Sequence, residues 1–258
     1  MPTGNYVSID NRDLYYETSG TGFPVVFLHT AGTDGRVWKH FVEKLPSAIR
    51  AIVPDLPGHG KSWPWVNWRK SRVDVAFYAD SMVKLIEALK LEKVAIVGCS
   101  IGADISLMLA RLLEKKVVLS IAMEGAARTH TFQEEVIMKT EPGNVERAFD
   151  FCGRKAKKEH IEELIWVRSS NNRDIYVTDL LAWNNFDYSK ELQNTGTKVI
   201  LMRGEDDPVV TESMLEDTVK IMRNSTKQTL EGLGHYPMLE DPEHLAKILV
   251  PLLSQYTK

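Results

Sequence analysis

The sequence predicts an α/β fold built on a mostly parallel twisted sheet with helices on both faces. Three observations predict it. Short apolar runs without polar alternation recur along the chain, as strands covered on both faces require. Longer segments with helical spacing separate them, which is the alternation of a parallel sheet. One stretch, residues 128 to 186, breaks that rhythm with amphipathic helical patterns and no strong strand run.

The first 20 or so residues differ from the rest. Residues 6–9 and 14–17 flank Asn11-Arg12-Asp13 and read as an antiparallel hairpin at the sheet edge. Residues 25–28 (Val-Val-Phe-Leu) are the first clean buried strand, and 49–53 the second. Residues 73–89 set Val75, Tyr78, Ala79, Met82, Leu85, Ile86 and Leu89 at helical spacing. A third strand at 94–97 runs into a mostly buried helix at 101–113. Strands four and five lie at 117–123 and 199–202. The chain closes with a helix at 242–256, carrying Pro242 in its first turn and Leu245, Ile248, Leu249 and Leu252 on one face.

The 258 residues, 43% hydrophobic and 26% charged, exclude intrinsic disorder as the main state. They fit one α/β core, 1–125 and 188–258, interrupted by an inserted helical cap at 126–187. Such an insertion would cover a site at the carboxyl edge of the sheet. A net charge of −3 gives no electrostatic reason to expect nucleic acid or an anionic membrane as partner. Two cysteines are too few for a disulfide framework or a cysteine zinc site. The start of the chain lacks the pattern of a signal peptide, and no apolar run approaches the ~18–20 residues of a membrane span, so the cytoplasm is expected. The sequon Asn224-Ser225-Thr226 then carries no meaning.

Gly98-Cys99-Ser100-Ile101-Gly102 holds Gly-x-Ser-x-Gly between a buried strand and a helical pattern. That is the strand–turn–helix setting of a nucleophile elbow. The tight turn would expose Ser100 and point Cys99 into the fold, where it reads as a small packing residue. The helix N-terminus behind Ser100 would aim free N–H groups at developing negative charge. A serine hydroxyl needs a base. Among seven histidines, His235 stands out, in a loop just before the C-terminal helix. His40, His130, His160 and His244 read as surface residues. The base needs a carboxylate. Asp207 and Asp206, following the strand at 199–202, and Glu124, ending the strand at 117–123, compete for it. Asp207 is preferred, because Pro208 restricts its backbone to extended conformations.

Taken together, these residues resemble the α/β-hydrolase family over nearly the whole chain. The order Ser100, Asp207, His235 is the family's order. Asp55-Leu56-Pro57-Gly58-His59-Gly60-Lys61-Ser62 resembles the loop after the family's fourth strand, and Gly204-Glu205-Asp206-Asp207-Pro208 its acid turn. Gly234-His235, followed by Pro237 and Glu240-Asp241-Pro242, is similar to its histidine loop. Serine at the elbow argues against members that attack with a carboxylate. The resemblance implies an oxyanion hole from the amides of Ala31 and Ile101, each donor worth ~3–4 kcal/mol in related chemistry. Thr30 stands where the family usually has glycine, and its hydroxyl is a candidate extra donor. Ala103 likewise stands where many members have glycine, and His29 and His59 read as structural.

The implied activity is that of a serine esterase or lactonase. It cleaves a small, fairly apolar acyl substrate through an acyl-enzyme and needs no metal or organic cofactor. Carbon–carbon bond hydrolysis, cofactor-free perhydrolysis, and a ligand-binding receptor with slow residual hydrolysis share the same triad. Phe149, Phe151, Trp166, Trp183 and Phe186 could line an apolar pocket; packing of the helical segment against the core is the favoured role for each, and Trp183 is the preferred pocket candidate. Trp63, Trp65 and Trp68 are expected to flank the mouth.

Overall fold

A computed structural model describes residues 2–62, 73–141 and 143–257. Trp63, Trp65 and Trp68 lie outside the described residues.

The chain opens with β1 (Thr3–Ile9) and β2 (Arg12–Ser19), an antiparallel pair with Ile9 opposite Arg12. Their turn is Asp10-Asn11, both at positive φ (50° and 61°). That conformation matches the twist of a two-residue hairpin, and aspartate and asparagine tolerate it. The turn therefore comes earlier than Asn11-Arg12-Asp13, and Arg12 and Asp13 belong to the strand. Next come β3 (Phe23–Leu28), the short α1 (Lys39–Val42), β4 (Ile49–Pro54), α2 (Val75–Ala88), β5 (Val94–Cys99), α3 (Ile101–Leu112) and β6 (Val117–Met123). Five helices follow: α4 (Glu134–Met138), α5 (Val145–Phe151), α6 (Lys158–Ser169), α7 (Arg173–Asn184) and α8 (Ser189–Leu192). The chain returns through β7 (Lys198–Gly204), α9 (Glu212–Ile221), β8 (Ser225–Leu230), α10 (Pro237–Glu240) and α11 (Pro242–Ser254).

The eight strands form one sheet in the order β1-β2-β4-β3-β5-β6-β7-β8. Among the described residues of this sheet, only the β1–β2 and β2–β4 pairings are antiparallel. Side chains alternate between the faces of the sheet. Val26, Leu28 and Ile96 join one apolar core with α2 and α3. Val25, Phe27, Ala95 and Val97 join another with Trp38, Phe41 and the Leu245–Leu249–Leu253 face of α11. Two covered faces explain why the central strands read as unbroken apolar runs.

Helix starts follow local chemistry. Asp74 and Asp241 cap α2 and α11 by accepting from the amides of Phe77 and His244, each at 2.9 Å. β8 and α9 were not expected from sequence. β8 is Ser-Thr-Lys-Gln-Thr-Leu, an edge strand exposed along most of its length, so it shows no apolar run. Its Lys227 forms ion pairs with Glu212 and Glu216 of α9.

Candidate active site

β5 lies at the middle of the sheet, and its chain turns sharply into α3 at Ser100. Ser100 sits at φ 58°, ψ −123°, a strained conformation for any residue but glycine. Close approach of the backbone enforces it. A Cβ on Gly98 would lie 1.9 Å from the Gly102 carbonyl oxygen, and one on Gly102 would lie 2.5 Å from that of Leu28. Both positions therefore require glycine, which is the physical content of the motif. The Ser100 amide donates to Met123 O at 2.8 Å, anchoring the turn to β6. Cys99 points the other way. It is fully buried and donates its thiol to the His235 carbonyl at 3.4 Å. Burial pushes that thiol well above its ordinary pKa, so no thiolate forms.

His235 follows β8 in a loop held from two sides. Its amide donates to Phe151 O at 2.7 Å. The buried Glu240 carboxylate accepts the amides of Gly153, Gly234 and Tyr236 at 2.8, 2.7 and 2.8 Å. Nδ1 of His235 faces Asp207 Oδ2 at 2.9 Å. An acceptor there keeps the proton on Nδ1 and leaves Nε2 free as a base.

The three carboxylates weighed for the acid role have different surroundings. Asp206 accepts the Arg154 amide at 2.8 Å and pairs with the Arg154 guanidinium at the surface. Asp207 is buried and also accepts the Val209 amide at 2.7 Å. Burial works against its charge. The facing His235 and hydrogen bonds from Glu124, His235 and Val209 nevertheless hold it well below the usual carboxylate range. Glu124, fully buried at φ 53°, accepts the Gly204 amide at 2.5 Å. Burial, and then the neighbouring Asp207 charge, push its carboxyl far above the ordinary value. Glu124 is thus a neutral acid beside an ionised aspartate.

Glu124, Asp207 and His235 each offer one ligand atom within 4.8 Å of the others. A cation there would need both carboxylates charged and the His235–Asp207 hydrogen bond broken. The arrangement suits proton sharing better than metal binding.

Thr30 and Ala31 follow β3 and line the same pocket as Ser100 and His235. The loop is fixed on both sides of Ala31. Thr30 O accepts from His29 Nδ1 at 2.9 Å and from the Thr33 hydroxyl at 2.9 Å. The Gly32 amide donates to Asp179 of α7 at 2.9 Å. Asp179 is fully buried and also meets His59 Nε2 at 2.7 Å and the Tyr78 hydroxyl at 2.5 Å. One carboxylate thus ties α7 to the Ala31 loop, to the loop after β4 and to α2. The Thr30 hydroxyl is 3.1 Å from that of Thr33. Ile101 opens α3, where the first amides have no intrahelical acceptor.

The pocket holds about 430 Å³ of space between atoms, mouth included. The preferred candidate Trp183 lines it, as does Phe151, together with Phe132, Leu180 and Val209. The other candidate aromatics do not. Phe149 and Trp166 are exposed, and Phe186 is buried against a different cavity. Sequence reasoning missed two polar members of the wall, Arg147 and Arg168. A signal existed for Arg168. It stands seven residues after Ile161 and four after Leu164, on the buried stripe of α6. Two of the expected surface histidines also differ. His40 Nε2 meets Glu163 at 2.6 Å, and its ring stacks on His160 at 5.2 Å, joining α1 to α6.

A model described as "Alpha/beta hydrolase family" matches residues 25–248. A pimeloyl-[acyl-carrier protein] methyl ester esterase of Aliivibrio salmonicida is 25% identical over 244 residues, 88% of this chain and 90% of that protein. An (E)-2-((N-methylformamido)methylene)succinate hydrolase of Acinetobacter baylyi is 24% identical over 91% of each chain. An esterase from Exiguobacterium antarcticum superposes with a TM-score of 0.87 at 21% identity, covering 98% of this chain and all of the other.

Proposed function

The chain belongs to the alpha/beta hydrolase family of enzymes, and on that premise we propose that it is a serine hydrolase. In this reading it cleaves a carboxylic ester or lactone of a small acyl substrate. Support comes from the family match and from relatives named as esterases. The observation that carries the reading is the meeting of a strained serine and an aspartate-held histidine in one pocket.

His235 Nε2 takes the Ser100 proton as Oγ attacks the carbonyl carbon. The amides of Ala31 and Ile101 receive the oxyanion, in a loop already held by Asp179 and at a helix N-terminus. His235 then protonates the leaving alcohol, and water attacks the acyl-enzyme with the same base. Asp207 stays ionised throughout and stabilises the imidazolium. The segment 126–187 acts in this reading as a cap. It supplies Phe132, Phe151, Leu180 and Trp183 as apolar walls that exclude water from the reacting carbonyl.

A steady-state panel tests this reading. It compares p-nitrophenyl acetate, a lactone, a vinylogous diketone, and peroxide with acetate. The ester and lactone are expected to give the highest kcat/KM. A panel in which they rank last contradicts the reading and favours carbon–carbon hydrolysis or perhydrolysis. Covalent labelling of Ser100 without turnover of any acyl compound would instead favour a receptor.

A further inference from the structure

Arg168 is 1% exposed and lines the pocket that holds Ser100 and His235. A guanidinium does not lose its proton in proteins, so a full charge is buried there. A buried charge is costly unless it is paired. Among the described residues, Arg168 has no carboxylate partner, its guanidinium lying instead over the Tyr176 ring at 5.1 Å, and no aspartate or glutamate lines the pocket. Its Nη2 donates to the Tyr176 hydroxyl at 2.8 Å, and its Nε has no hydrogen-bond partner. Trp183, 2% exposed and lining the same pocket, also leaves its Nε1 without a partner. Buried donors left unsatisfied are rare and call for an acceptor. A second guanidinium, Arg147, joins the wall over the rings of Phe132 and Phe151.

From this juxtaposition we propose that the pocket takes an ester or lactone bearing a second, unesterified carboxylate, which Arg168 and the Trp183 indole N–H receive. The proposal rests on the hydrolase reading and narrows its substrate class. The apolar walls accommodate the carbon chain between the scissile carbonyl and the anionic end. The guanidinium meets two carboxylate oxygens with a fixed fork of donors, a geometry that a neutral amide cannot match. Arg147, whose Nη1 donates to the Thr140 hydroxyl at 2.7 Å, adds positive potential without being consumed by a carboxylate.

Two matched pairs of substrates test it, with the charge on either side of the ester. One pair is p-nitrophenyl hydrogen adipate and its neutral amide-capped analogue. The other is 4-acetoxybutyrate and its primary amide. The acidic member of at least one pair is expected to show a kcat/KM about tenfold or more above its neutral partner, the range of a charge-assisted hydrogen bond. In Arg168→Met that ratio falls to about one, and Arg168→Lys restores part of it. Trp183→Phe lowers the ratio by about threefold through loss of one donor. A wild-type ratio of one or less in both pairs overturns the proposal, whether or not the variants fold. So does a ratio that Arg168→Met leaves unchanged.

A binding measurement separates this proposal from the hydrolase reading. Calorimetry of Ser100→Ala with monomethyl adipate and with its amide-capped analogue is expected to show preferential binding of the anion. If no ester is turned over by the wild type but the anion still binds preferentially, the hydrolase reading fails and the anion site stands. If esters are turned over without preference for the anion, the reverse holds.

Discussion

At Ser100 the fold stores backbone strain and uses neighbouring glycines to hold it. Ser100, His235 and Asp207 stand out in the sequence because each lies next to a strand end within a recognisable turn, and the structure sets Ser100 and His235 on one pocket with Asp207 hydrogen-bonded to His235. The state of Glu124 was not legible, because it depends on burial and on the proximity of Asp207. In the proposed mechanism the two acids do different work. Asp207→Asn removes the negative charge that stabilises the imidazolium, and kcat is expected to fall by about 10³–10⁴. Glu124→Gln can still donate towards Asp207 and accept from Gly204, so its loss is expected to stay within about tenfold. Steady-state kinetics of the two variants check this, and the reverse ranking would reassign the acid.

His29 is a second residue whose state is fixed by its surroundings. Its Nε2 accepts the Leu56 amide at 2.9 Å, and burial, with the neighbouring His59 charge, lowers its pKa to about 4. An unfolded imidazole binds its proton near 6.5. The stability His29 contributes is therefore fully present above pH 6.5 and is lost as the pH falls through about 4. The integrated effect is on the order of 3 kcal/mol. His59, raised by Asp179 against the effect of burial, acts in the opposite sense. Urea unfolding at pH 7 and pH 4.5 is expected to show a smaller acid loss in His29→Gln than in the wild type. Equal losses would show that His29 is not the group involved.

At the scale of elements, the apolar strands and the long helices were legible, and the polar edge was not. β5 and β6 are buried on both faces, so their composition reports their position. β8 is exposed, and its place is set by pairing with β7 and by Lys227. Contacts between elements are also silent in sequence. Asp179 lies 120 residues from His59 and 147 from Gly32, yet it joins both. Asp179→Ala would leave three donors from three segments without their acceptor. It is expected to cost about 3–5 kcal/mol in stability, as when a buried pair loses one partner. It is also expected to lower kcat more than it raises KM, because the Ala31 loop loses its anchor. Thermal unfolding and kinetics of the variant measure both effects. A stability change under 1 kcal/mol, with unaltered kcat, would contradict the positioning role.

At the scale of the whole molecule, the alternation of strands and helices predicted the sheet, and the break in that alternation marked the helical segment between β6 and β7. Of the aromatic residues of that segment, Trp183, the preferred candidate, and Phe151 line the pocket, while Phe149 and Trp166 are exposed and Phe186 packs elsewhere. Aromatic side chains also serve packing and surface roles, as Phe186 and Trp166 do. The informative residue was a charged one in an apolar stripe, Arg168. Among the described residues, no helix is long and apolar enough to cross a membrane.

In the proposed mechanism Ser100 Oγ is the atom that becomes acylated. The most direct measurement is a rapid acid quench during turnover of p-nitrophenyl acetate, followed by peptide mass spectrometry. It is expected to find the acetyl group on the peptide at Ser100. In the Ser100→Ala protein the adduct should be absent and turnover should drop by about a thousandfold or more. An acetyl group mapped to Cys99, or undiminished turnover in Ser100→Ala, would contradict it.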